Sequence, residues 1–290
     1  MNTRRTFIKQ SGLMTAGLMI SPSDLLKKQK TVGIQLYSVR DEIVKDPRGV
    51  IKKIAAAGYN EVEMYGLSAG NKFYGLTVKE MVQLLKENNL KSPSGHYAPE
   101  DFLFNNGNGD DVKNFCEVGH ALKNKYIIIP FIKEEKRKSI DQYKVLAERI
   151  NKAAEICKSA DLQLAYHNHD FEFIDLYGEH GYDIFLNNTD KDLVKMEMDL
   201  YWVVRAGYDP VELFKKHPGR FPLWHVKDMD KTDRTKNTEV GNGSVDFKTI
   251  FANAKLAGVK HYLVEQENNY APDIFTSIKT SCGYTKTSLL

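Results

Sequence analysis

From residue 31 onward the chain repeats one alternation: a short apolar run, then a segment of helical length. The runs are TVGIQLY (31–37), NEVEMYG (60–66), KSPSGHY (91–97), KYIIIPF (125–131), LQLAYHN (162–168), LVKMEMD (193–199), FPLWHVK (221–227) and HYLVEQE (261–267). They read as short buried strands. The segments between them carry helix signals. PRGVIKKIAAAG (47–58) has Pro47 near its start and Gly58 as its stop. TVKEMVQLLKENN (77–89) places Thr77 three residues before Glu80, a capping box. DQYKVLAERINKAAEICKSA (141–160) repeats apolar residues at helical spacing, and VDFKTIFANAKLAG (245–258) offers Asp246 as a cap and Gly258 as a stop. Strands alternating with helices imply parallel strands joined by helical crossovers.

Eight such units in about 260 residues match the size of a closed barrel. The rival is a doubly wound open sheet, which usually carries a Gly-rich phosphate turn after its first strand. GIQLYSVRD has none, and no P-loop or GxGxxG turn appears elsewhere. No linker or shift of composition divides the chain. The expectation is therefore an α/β protein, a single (β/α)8 TIM barrel over 31–290. A hydrophobic content of 42% in 290 residues is enough for a sizeable core. A formal charge of +3 is too mild to argue for nucleic acid, and KEEKRK (133–138) reads as a solvated loop or helix start. Cys116, Cys157 and Cys282 form no CxxC motif and read as buried or incidental thiols.

The N-terminus stands apart. TRRTFIK (3–9) precedes a short apolar stretch ending near Ile20, the layout of a signal peptide. The Arg4-Arg5 pair followed by Phe7, Ile8 and Lys9 resembles a twin-arginine export signal. Residues 1–30 are therefore expected to be a signal segment, and the protein to be exported, to the periplasm. The apolar stretch is too short for a membrane span, and no other segment is long and apolar enough.

In barrels of this type the functional residues come from the C-terminal ends of the strands. The fifth run ends at His167 and His169, the sixth at Asp199, the seventh at His225, Lys227 and Asp228, and the eighth at Glu265 and Glu267. Earlier runs offer Gln35, Glu61, Glu63 and His96. Residues two apart in a strand face the same side, so His167 and His169 point at one spot. Any one of these residues alone reads as a capped or solvated side chain. Four consecutive strands ending in His, Asp or Glu read as convergence, because buried polar groups need partners. A mixed N/O set without cysteine suits one divalent ion such as Mn, Co, Zn, Ni or Fe rather than a structural zinc.

Together GIQLYSVRD, YIIIP, YHNHDFEF, MDLYWVVRAG, FPLWHVKDM, GNGSVDF and VEQE make the sequence resemble the xylose isomerase-like TIM-barrel family. That family includes ketose 3-epimerases, inosose dehydratases and endonuclease IV. In its sugar-converting members, Glu, Asp, His and Glu of the last four strands hold one divalent metal. By resemblance, Asp199, His225 and Glu265 fall on the last three positions. Many relatives read ALENH where this chain reads AYHNH, so His167 stands in place of the ligand and base Glu. His169 stands where relatives keep a substrate-contacting His. Trp202 occupies a position where ketose epimerases often place a substrate His. The expected metal set is His167, Asp199, His225 and Glu265.

The expected chemistry is proton abstraction beside a carbonyl, with an enediolate stabilised by the metal. A metal-bound imidazole is a poor base, so the chain lacks the two-Glu pair that symmetrical epimerisation uses. Glu265, Lys227 and His169 are the expected catalytic groups, and His96, Glu63, Trp202 and Gln35 the expected substrate contacts. Elimination from 3-keto-glycosides or other keto-sugars, or the reverse hydration, is favoured over ketose isomerisation or 3-epimerisation. Trp202, Trp224, Tyr37, Tyr65, Tyr97 and Tyr166 are available to stack on a sugar ring. An endonuclease IV-like activity needs more His and Glu ligands than these strands supply. A sugar-binding barrel without catalysis is the remaining alternative. The expected partner is a small carbohydrate, with no nucleic acid and no stable membrane insertion; homo-oligomerisation is left open.

Overall fold

Each of the eight apolar runs becomes a strand of one closed parallel barrel. The strands are β1 (Gly33–Gln35), β2 (Glu61–Met64), β3 (Lys91–His96), β4 (Tyr126–Ile129), β5 (Gln163–His167), β6 (Val194–Asp199), β7 (Leu223–Val226) and β8 (His261–Val264). Neighbours in the ring are neighbours in the chain, and β1 closes the ring against β8. This is a computed structural model, and it describes residues 30–290. The expected signal segment lies outside the described residues, apart from Lys30.

The crossovers form where the sequence signals place them. Helix α1 (Pro47–Ala56) opens with Asp46 accepting from the Gly49 amide at 2.8 Å. Helix α2 (Val78–Glu87) has the reciprocal capping box: Thr77 Oγ1 accepts from the Glu80 amide at 3.3 Å, and Glu80 accepts from the Thr77 amide at 2.8 Å. Such a cap contributes on the order of 1 kcal/mol. Helices α3 (Asp110–Leu122) and α4 (Ile140–Ser159) cover the barrel with their apolar faces. The expected helix over 245–258 divides into Phe247–Ala252 and Ala254–Ala257, then stops at Gly258 with φ of 78°.

The lumen has its own small core. Tyr126, Ile128, Ala165, Leu223 and Leu263 form a buried cluster separate from the one between strands and helices. Side chains repeat their direction every second residue. Two residues beyond Ala165, Leu223 and Leu263 come His167, His225 and Glu265, so an apolar layer underlies the polar one. Gly33 makes room for it, since a Cβ there would lie 2.5 Å from Leu263 Cδ2. Truncating Leu223 or Leu263 to Ala would cost about 2–5 kcal/mol and undercut the site. Trp224 faces outward from the lumen and stacks on Phe214 with ring centroids 5.2 Å apart.

Candidate active site and metal centre

His225 lies between two groups of potential ligands. On its Nδ1 side, Glu265 Oε2 is 3.2 Å away and Asp199 Oδ2 is 3.9 Å away. On its Nε2 side, Glu63 Oε2 is 2.7 Å away and Glu197 Oε2 is 3.3 Å away. His96 Nε2 adds contacts of 2.8 Å to Glu197 Oε2 and 3.1 Å to Glu63 Oε2. His167 Nδ1 lies 3.2 Å from Glu197 Oε2 but out of line for a hydrogen bond. Two sets thus have donor atoms within 4.8 Å of one another: His96, His167, Glu197 and His225, and Asp199, His225 and Glu265.

The four expected ligands do not form one cluster. Asp199, His225 and Glu265 come together, whereas His167 sits on the Nε2 side. Register is the reason: Asp199 is level with His225 across β6 and β7, but His167 is level with Glu197 across β5 and β6. The stagger lowers His167 by one pleat relative to Asp199. Glu197 was missed in the sequence, although MEMD places it two residues before Asp199 and hence on the same face.

Several buried atoms here have no hydrogen-bond partner among the described residues: Glu63 Oε1, Glu197 Oε1, Asp199 Oδ2 and His167 Nδ1. Buried polar atoms normally find one. Orphaned oxygen and nitrogen donors grouped this closely fit a divalent cation that accepts both imidazole and carboxylate.

Lys227 anchors the Nδ1 side. Its ammonium is 3.2 Å from Glu265 Oε2 and 3.7 Å from Asp199 Oδ2, and it also donates to Glu267. It sits 4.9 Å from the centre of the Trp202 ring. Lys227 is buried completely, so it is no surface ion pair.

Burial and charge divide the titrating groups. Burial opposes charge on Lys227, but Glu265, Asp199 and Glu267 override it and hold the ammonium protonated. Burial likewise opposes charge on Glu265, yet Lys227 and His225 keep its carboxyl well below the usual range. Burial raises Asp199 to about 7 against the pull of Lys227, and raises Glu197 to about 7 with help from Glu63. His96 rises to about 9, because Glu63 and Glu197 outweigh its burial. His169 falls to about 3 through burial and the nearby Lys227 charge, so its imidazole is neutral.

Part of this cluster opens onto a cavity of about 520 Å³ at the C-terminal ends of the strands. Its walls include Tyr37, Tyr65, Tyr97, Phe131 and Trp202, with His96, His167, His169, Glu265 and Glu267 as the polar part. The expected substrate contacts therefore divide. His96 and Trp202 line the cavity; Gln35 and Glu63 do not. Gln35 donates to Glu63 Oε2 at 2.6 Å, and Glu63 is buried under His225, so both lie beneath the cavity floor. Of the aromatic residues expected to stack on a sugar, Trp224 and Tyr166 belong to the core. The Tyr166 hydroxyl donates to buried Glu172 at 2.5 Å, and the second Glu172 oxygen accepts from the His169 amide at 2.8 Å. Glu172 thus fixes the backbone that carries His169. His169 itself stacks on Phe171 with centroids 5.1 Å apart.

Comparison with known proteins agrees with this architecture. Inosose dehydratase of Clostridium botulinum (strain Eklund 17B / Type B) is 24% identical over 233 residues, covering 69% of this chain and 75% of the relative. A solved sugar phosphate isomerase/epimerase of Parabacteroides distasonis ATCC 8503 superposes with a TM-score of 0.80 at 28% identity, covering 91% of this chain and 96% of the other. The fold alone is shared with an IOLI protein solved with a bound zinc atom, at a TM-score of 0.69 and 14% identity, covering 89% of this chain and 98% of that one. The family profile of the xylose isomerase-like TIM barrel matches residues 51–282, and the chain belongs to that family.

Proposed function

We propose that this protein is a divalent-metal-dependent lyase of keto-sugars, 3-keto-glycosides among them, or in reverse a hydratase. The observation that carries the reading is one juxtaposition: neutral His169 and the ligand Glu265 on the wall of an aromatic-lined cavity, with Asp199, His225 and protonated Lys227 packed around Glu265. Held by Asp199, His225 and Glu265, a divalent ion supplies Lewis-acid polarisation of a carbonyl oxygen.

The protein's own groups account for the proton movements. The neutral imidazole of His169, with Nδ1 unpartnered, takes the proton from the carbon beside the carbonyl. The C–H electron pair becomes the new C=C bond as the adjacent C–O bond breaks. The ammonium of Lys227 delivers a proton to the departing oxygen, which leaves as water or an alcohol. Glu265 and Glu267 hold Lys227 in place. Solvent then returns the proton from His169 to Lys227. At rest His169 is neutral and Lys227 protonated, the states in which one can accept a proton and the other give one. Tyr37, Tyr65 and Trp202 offer apolar faces to a sugar ring.

The dehydratase named among the curated relatives supports elimination. The isomerase/epimerase named among the structural neighbours supports the second reading, proton return to an intact ketose. Incubation of metal-loaded protein in heavy water separates them. Elimination from a 3-keto-glycoside or an inosose gives an unsaturated ketone absorbing in the ultraviolet. Deuterium incorporation with inversion of a free ketose, and no release from any glycoside, would overturn the lyase reading.

We also infer that residues 1–30 direct export through the twin-arginine route to the periplasm. The support is the Arg4-Arg5 pair and the short apolar stretch behind it.

A further inference from the structure

Cysteine is among the most buried residue types, so one buried thiol signifies packing and nothing more. Here two of the chain's three cysteines meet sulfur to sulfur. Cys116 on α3 and Cys157 on α4 stand 41 positions apart, and their Sγ atoms lie 3.8 Å from each other. Both are free thiols. Closing that gap to the ~2.05 Å of a disulfide asks each sulfur to move about 0.9 Å, which small side-chain rotations supply. Cys282 lies elsewhere, on the helix Ile274–Tyr284 beside Gly58.

The two sulfurs differ in access. Cys157 is completely buried, whereas Cys116, 3% exposed, lines a surface cleft of about 470 Å³ between α3 and α4. Lys113 and His120 flank Cys116 in that cleft, with Glu117 as the opposing charge. The hydrogen bond between the sulfurs holds the Cys116 thiol below its ordinary value. The same bond, with burial, holds Cys157 above it. Cys116 is therefore the sulfur that reaches the thiolate first, and it is the one a reagent can approach.

We propose that Cys116 and Cys157 are a redox-active pair that closes to a disulfide between α3 and α4, by exchange with an external disulfide entering the cleft at Cys116. The Cys116 thiolate attacks one sulfur of that disulfide, whose S–S bond breaks and releases one thiol. Cys157 then attacks the Cys116 sulfur of the mixed disulfide and expels the second thiol. The pair loses two electrons, the external disulfide gains them, and the two cysteine protons end on the two released thiols. The setting rests on the export reading above: a chain exported already folded meets an oxidising compartment with its thiols packed, so an oxidant needs a path such as this cleft.

Thiol counting on purified protein tests the pair whether or not export holds. Full-length protein, reduced and then desalted, is incubated with glutathione disulfide in the absence of denaturant. After a second desalting its thiols are titrated in denaturant. Three are expected in the reduced wild type and one after oxidation. Cys282→Ser is expected to go from two to none. Cys157→Ser should stop with one glutathione attached at Cys116, read by mass spectrometry of its peptides, while Cys116→Ser should keep both thiols. A wild type that keeps three thiols, or that stops with glutathione on Cys116, overturns the proposal. So does a disulfide mapped through Cys282. An adduct on Cys157 in Cys116→Ser, with none on Cys116 in Cys157→Ser, overturns entry through the cleft.

Discussion

His225 Nε2 lies 2.7 Å from Glu63 Oε2, although the residues stand 162 positions apart on β7 and β2. The contact crosses the barrel lumen above the layer of Leu223 and Leu263. It exists because a closed barrel turns every second side chain of every strand towards one axis. Polar groups collected there are remote from solvent, so each must be satisfied by another or by an ion.

Metal binding should therefore stabilise the fold. Chelator-treated protein is expected to melt at a lower temperature than metal-loaded protein. An ion at a free concentration of 100 times its dissociation constant adds about 2.7 kcal/mol. Differential scanning calorimetry with and without added Zn²⁺ checks this, and an unchanged transition contradicts it.

Glu172 gives a pH dependence separate from the metal ligands. Burial raises its carboxyl to about 7, against the bonds from Tyr166 and the His169 amide. The folded state then keeps a proton that the unfolded state loses above its ordinary carboxyl value of 4.5. Stability from this group should fall as pH rises from about 4.5 to about 7, and stay low above that. The total is on the order of 3 kcal/mol. Glu172→Gln is expected to remove that part of the slope. Parallel slopes for variant and wild type in urea denaturation across pH 4.5–8 would refute it.

The barrel was legible because strands covered on both faces read as apolar runs, and because Thr77, Glu80 and Gly58 mark helix ends. The convergence of His167, Asp199, His225 and Glu265 was legible at the level of strands. What the sequence hides is the stagger between strands. His167 and Asp199 end adjacent strands, yet Asp199 is level with His225 and His167 with Glu197. No residue type records that offset. Gln35 and Glu63 illustrate the same point: their register puts them side by side, but their depth below the cavity depends on His225 lying over them. Glu197 was within reach of the rule of two, and a search for every polar residue of one parity would have found it.

The proposed export rests on Arg4 and Arg5, which lie outside the described residues. Replacing both with Lys keeps the charge but removes the paired guanidinium groups. The variant is expected to stay in the cytoplasm while the wild type reaches the periplasm. Fractionation of cells expressing each form measures this, and equal periplasmic yields would remove the twin-arginine reading.

The acid–base assignment makes a prediction in two halves. His169→Gln should lower kcat by about 10²–10⁴-fold and leave zinc content unchanged, because His169 belongs to neither ligand set. Lys227→Met should lower kcat by a similar factor on glycosides whose departing alcohol needs a proton. With a nitrophenyl glycoside, whose leaving group departs as the anion, most of that loss should disappear. A residue that merely held Glu265 in place would slow both substrates alike. The same variant leaves Glu265 and Asp199 without their permanent counter-charge, so its metal-free form should lose about 3–5 kcal/mol of stability. Added metal should recover part of that, since a dication neutralises the same carboxylates. Equal loss of kcat on both glycosides would leave Lys227 as a positioning residue. The proton for the departing oxygen would then have to come from a group on the cavity wall, and His96, held protonated up to about 9 by Glu63 and Glu197, is the one placed to give it.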